Sequence, residues 1–197
     1  RPWRDQYCGE AYVKGLIEFC AERGLPLDFV SWHEYWHPPE QYVKEARLIR
    51  SWLSRHPRFR EAELFVTEWS FSWGTNMAHD CEVGAAWMAN TLVKGMLAGG
   101  VDKACYFLVQ DIPEPKGKSP FQGWWGLLTR DRRPKASYFA LKMFSMLDGD
   151  RVRVEGGSEA VGALAAFDGR ALRVLLWHYA ASGDVPRDVI VKVEGLP

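Results

Sequence analysis

Three short apolar runs in this sequence end in polar side chains that a buried strand does not need. The first is Ser31-Trp32-His33-Glu34-Tyr35, the second is Val66-Thr67-Glu68-Trp69, and the third closes on Gln110-Asp111 after Tyr106 and Phe107. A glutamate held between threonine and tryptophan sits in an aromatic, half-dry pocket, which suits a carboxylate used as a nucleophile. Strand side chains alternate, so Ser31, His33 and Tyr35 share one face, and Trp32 and Glu34 share the other. The expectation is that the first three line one cavity with Glu68, while Trp32 and Glu34 point away from it. Taken singly, a glutamate at a strand end is more often a surface or capping residue. A histidine in an aromatic strand is more often a satisfied core group. The weight comes from the three ends together, since each puts polar groups at the same rim.

The elements that must carry these groups can be read from periodicity. Glu10 to Arg23 has apolar residues at helical spacing and stops at Gly24. Leu27 to Trp36 is short, aromatic and β-branched, and predicts a strand. Glu40 to Ser54 predicts a second helix, Glu63 to Phe71 a second strand, Asp80 to Ala98 a third helix ended by Gly99-Gly100, and Val101 to Val109 a third strand. A long proline-containing loop follows from Gln110 to Gly126, and Pro134 to Leu147 predicts a last helix. Strand and helix thus alternate, and the strands are near-continuous apolar runs, as expected when both faces are covered. This pattern predicts an α/β fold with a parallel sheet, in which active sites form at the C-terminal ends of the strands. Past Gly149 the pattern changes to short β segments at 151–154, 160–167, 172–179 and 188–193, split by turns such as Asp168-Gly169. Residues 1–149 and 150–197 are therefore expected to be separate units, the second a small antiparallel β-sandwich or its first half.

Composition narrows the function classes. Lysine plus arginine and aspartate plus glutamate are balanced at 25 each, so nothing points to nucleic acid or an anionic membrane as partner. No apolar run reaches the length of a membrane span. The cysteines at 8, 20, 81 and 105 form no CxxC pair and no zinc-like cluster with histidine, so no metal or other cofactor is expected. They are expected to be mostly reduced and packed. The chain opens at Arg1 without a methionine or a leader, and no compartment is assigned. Ten tryptophans are the unusual number; tryptophan fills cores, and it also forms flat platforms for sugar rings.

The stretches PLDFVSWHEYW, LFVTEWSFSW, HDCEVGAAWMANTLVKG, SPFQGWWGLLT and RPKASYFALKMFSML resemble glycoside hydrolase family 39, the β-xylosidase and α-L-iduronidase family. The likeness is correctly spaced over roughly residues 10 to 148. It implies that the chain is the C-terminal part, strands six to eight, of a (β/α)8 barrel, followed by an accessory β segment. It implies that Glu68 is the nucleophile of a retaining glycosidase and that His33 and Tyr35 contact the substrate. Phe107 stands where the family usually has a tryptophan under the sugar, so Trp124 or Trp125 would have to substitute. Glu114 lies near a family acidic position in the loop after strand eight. The family's acid/base glutamate ends strand four in an Asn-Glu pair, and neither Asn76 nor Asn90 precedes a glutamate. The resemblance therefore implies that strands one to five and the acid/base are absent and that this chain alone is inactive. The expected partners are a carbohydrate substrate and either the missing barrel half or a second copy joined through exposed strand edges. Two readings from other classes use the same residues: a non-catalytic carbohydrate-binding protein, and an inactive barrel remnant.

Overall fold

In a computed structural model, which describes residues 9–112, 119–180 and 188–195, helix and strand alternate as the periodicity requires. Helix α1 (Glu10–Glu22) buries Ile17 and Cys20, and Gly24 leaves it at φ +66. Strand β1 (Phe29–Tyr35) follows. Helix α2 (Pro39–Leu53) begins with proline, whose missing N–H has no partner in a first turn anyway. Its apolar stripe of Tyr42, Ala46, Ile49 and Leu53 is buried. Strand β2 (Glu63–Ser70) leads to a short 3-10 turn over Met77–Asp80, whose Ala78 N–H is capped by the Asn76 side chain.

The helix expected over 80–98 is in two parts. Helix α3 covers Glu82–Asn90, and Thr91–Leu97 continues it as a wider π-helix. At the wide end a Cβ on Gly95 would meet Pro39 Cα at 3.2 Å, and one on Gly99 would meet Val43 Cα at 3.1 Å. The helix thus backs onto α2 more closely than side chains would allow. Strand β3 (Lys103–Tyr106) is shorter than its apolar run to Val109, and α4 (Ala136–Phe144) closes this half.

The sheet is parallel, in the order β1-β2-β3. The helices cover one face. Ile17, Val30, Ile49, Leu53, Phe59 and Leu64 form one core cluster, and Tyr42, Val66, Trp69, Trp87, Met88 and Met96 form the next. The expectation that both faces are covered fails. Phe29 is 48% exposed, and Ser31, His33, Lys103 and Cys105 are exposed on the strands. The described helices pack on the other side, so the open face is covered only by its own contacts: Phe29 stacks on Phe65 at 4.8 Å, and Lys103 lies 4.6 Å from the Phe65 ring centre. For the same reason Cys105 is not packed; Cys20, Cys81 and Cys105 are free, and only Cys20 is fully buried.

A second, antiparallel sheet has the order β4-β5-β6, with β4 at Asp150–Val152, β5 at Val161–Phe167 and β6 at Leu172–His178. The Asp168-Gly169 turn joins β5 to β6, with Asp168 Oδ1 accepting from the backbone N–H of Arg170 and Ala171. The strand expected at 188–193 is absent: those described residues have no ladder partner, and Ile190 is 95% exposed. Among the described residues the tail is thus a single antiparallel sheet, compatible with the first half of a sandwich and not a complete one. It docks on α3, where Trp177 Nε1 donates to Asn90 Oδ1 at 3.2 Å and Leu175 packs with Ala89. The Lys94 ammonium, on the π-helical turn, donates to the carbonyls of Ser158 and Glu159.

Candidate active site

Strict alternation along β2 would turn Glu68 toward the helices with Leu64 and Val66. A bulge prevents this. Trp32 pairs with Val66, but His33 pairs with Glu68, so Thr67 is the extra residue. The same extra residue separates the Val66–Ala104 and Trp69–Tyr106 pairings toward β3. Thr67 Oγ1 donates to the carbonyl of Trp32 at 3.4 Å, across the place where the register slips. Past the bulge Trp69 enters the helix-side core, 1% exposed, and Glu68 emerges on the open face.

There β1 meets it. Tyr35 donates its hydroxyl proton to Glu68 Oε2 at 2.6 Å, and His33 Nδ1 lies 3.2 Å from the same oxygen. The Glu68 side chain is 36% exposed, so it is held by both partners but not sealed from solvent. Burial, followed by the Glu68 carboxylate, pushes the Tyr35 hydroxyl far above its ordinary value, which keeps Tyr35 a proton donor. Trp73 packs on Tyr35 at 4.4 Å, and Phe107 meets Tyr35 edge-on at 6.3 Å. Trp125 lies 6.0 Å from Phe107, and Trp124 lies 5.1 Å from Trp125. A continuous aromatic wall thus runs from Trp73 to Trp124 beside one partly open carboxylate.

The other face of β1 is as alternation requires. Trp32 Nε1 donates to Glu45 Oε2 on α2 at 3.1 Å. Glu34 is 3% exposed, lies 3.1 Å from His37, and accepts the Tyr42 hydroxyl at its backbone carbonyl. Burial, and then the adjacent Glu34, push the Glu45 carboxyl up to about 7.

Two placements differ from the sequence reading. Asp111 does not share the rim with Glu68. It is buried beneath the loop, with Oδ2 2.8 Å from Lys135 Nζ and Oδ1 accepting from the Gly126 N–H. Gln110 donates to the Arg130 carbonyl instead. The reason is that β3 stops at Tyr106, so residues 107–111 no longer follow strand parity. Trp125, not Trp124, touches Phe107. Glu114 lies outside the described residues. Nothing in the sequence singles out Trp73 or Lys135. A lysine inside RPKAS reads as solvated, and only the fold shows its side chain fully buried. Among the described residues no group of His, Cys, Asp and Glu side chains gathers to hold a metal ion.

The family model for glycosyl hydrolases of family 39 matches residues 7–181. The chain belongs to glycosyl hydrolase family 39. A beta-xylosidase of Geobacillus stearothermophilus is 29% identical over 187 residues, covering 81% of this chain and 36% of that protein. The solved structure of a family 39 beta-xylosidase from Caulobacter crescentus is 30% identical at a TM-score of 0.65, covering 82% of this chain and 35% of the other. That of a family 39 enzyme from Xanthomonas axonopodis pv. citri is 28% identical at a TM-score of 0.71, covering 92% and 38%. Against each of these relatives the family 39 chain described above spans somewhat more than a third of the length.

Proposed function

We propose that this chain is the nucleophile-bearing part of a retaining glycoside hydrolase acting on β-xylosides. In this reading β1, β2 and β3 are barrel strands six, seven and eight, and the sheet from residue 150 is an accessory unit. The observation that carries it is the convergence of Tyr35 and His33 on one oxygen of Glu68 at the C-terminal ends of parallel strands. Tyr35 holds that oxygen with a neutral donor, so the carboxylate keeps its orientation for attack on the anomeric carbon. The leaving oxygen takes a proton from a second carboxyl about 5 Å away, supplied from outside this chain, and water then releases the glycosyl-enzyme. His33, more than half exposed, is placed to reach a sugar hydroxyl. The aromatic wall of Phe107 and Trp125 offers the apolar face that a sugar ring packs on, with Trp124 at its outer end. The similarity to beta-xylosidases favours a xyloside substrate.

The test is made in the intact protein. Incubation with an activated 2-deoxy-2-fluoro xyloside should trap a covalent adduct, and peptide mass mapping should find it on Glu68. An adduct on another residue removes Glu68 from the role of nucleophile. No adduct together with unimpaired xylan-oligomer binding favours the carbohydrate-binding reading.

A further inference from the structure

Behind the aromatic wall lies a buried ion triad that the reaction itself does not use. Lys135, just ahead of α4, has a fully buried side chain, and its ammonium lies 2.7 Å from Asp80 Oδ1 and 2.8 Å from Asp111 Oδ2. Its remaining contact is to the backbone carbonyl of Trp124, at 2.8 Å. An ammonium has only three N–H donors, so every one is committed. Each carboxylate reaches the same loop with its second oxygen: Asp80 Oδ2 accepts from the Gly123 N–H, and Asp111 Oδ1 from the Gly126 N–H at 2.7 Å. Three backbone groups of 123–126 are thus held by side chains from three separate segments.

The glycines make this close seating possible. A Cβ on Gly123, which has φ +70, would lie 2.7 Å from the Asn76 carbonyl carbon, and one on Gly126 would lie 2.5 Å from the Asp111 nitrogen. Trp124 and Trp125 therefore form a two-residue aromatic step pinned at both ends, and Trp125 transmits its position to Phe107 and Tyr35. We infer that Lys135 is a positioning residue, which acts through Asp80, Asp111 and the Trp124 carbonyl to set the aromatic wall against which the substrate ring packs. The substrate part of this statement rests on the proposed function of Glu68.

The test compares the intact protein with its Lys135→Met variant by amide exchange and by kinetics on an aryl β-xyloside. Exchange at residues 123–126 should accelerate about tenfold while β1 and β2 keep their protection. KM should rise about tenfold with kcat changed by less than about threefold, as expected for lost ground-state positioning. Unchanged exchange at 123–126 in a folded variant overturns the inference, and so does faster exchange with an unmoved KM. If Lys135→Met does not fold, Asp80→Asn carries the same test, because it leaves one lysine facing one carboxylate. A Glu68→Gln control that keeps full turnover would sink the assignment of Glu68 alone. The exchange data then decide by themselves whether Lys135 anchors the loop.

Discussion

Glu68 and Asp111 are both carboxylates at the C-terminal side of the same parallel sheet, and the molecule treats them oppositely. Asp111 is 2% exposed, with an ammonium on one oxygen and a backbone amide on the other. Glu68 is 36% exposed, and a tyrosine hydroxyl and a histidine ring meet it on one oxygen. A buried carboxylate must be paired with charge or it destabilises the fold. One that is to act as a nucleophile must keep an oxygen free of strong donors. In the proposed reading, the pairing chemistry separates the carboxylate that holds structure from the one that reacts, where position at a strand end does not.

Exchanging the two losses should break the comparison if it is wrong. Glu68→Gln in the intact protein should cost about 10^4-fold or more in turnover of an aryl xyloside and leave the thermal midpoint nearly unchanged. Turnover within tenfold of the parent would show that the exposed carboxylate is not the reactive one. Asp111→Ala should do the reverse. It leaves Lys135 facing one carboxylate and strands the Gly126 amide, and should cost about 3–5 kcal/mol in denaturant unfolding. A loss under about 1 kcal/mol would mean that the buried pair contributes no more than a surface pair.

Two titrations sharpen the same contrast. His79, beside the triad, is 1% exposed and is held down to about 4 by burial and then by Lys135. Its folded value lies below the unfolded one, so the stability it contributes is present above pH 6.5 and is lost as pH falls toward 4. The loss should be about 2–3 kcal/mol, and His79→Gln should flatten that part of the profile. Glu45 is the opposite case, a half-buried carboxyl with Glu34 beside it, raised to about 7. Its contribution is present below pH 4.5 and is lost as pH rises through 7. The parent should lose about 1–2 kcal/mol between pH 5 and 8, allowing for solvent screening. Glu45→Gln should remove that slope, and a parallel slope in parent and variant would show that burial and Glu34 do not raise the Glu45 carboxyl.

Up to His178 the sequence by itself determined the alternation of helices and strands, because helix and strand periods are local properties of the chain. It also determined the split of β1, with Trp32 and Glu34 toward α2 and His33 and Tyr35 on the open face, since β1 keeps strict alternation up to the site. The family was legible in VTEWS and SWHEY for the same reason: residues needed at one point in space lie close together along these strands. Three things were decided only by the tertiary structure. The bulge at Thr67, which turns Glu68 out of the helix layer, depends on the register of β2 against both neighbours. The burial of Lys135 depends on three segments meeting at one ammonium, and a lysine's type alone argues for solvent. The departure of Asp111 from the rim depends on where β3 stops pairing. Each of these is a relation between residues far apart in the chain, and no local period encodes it.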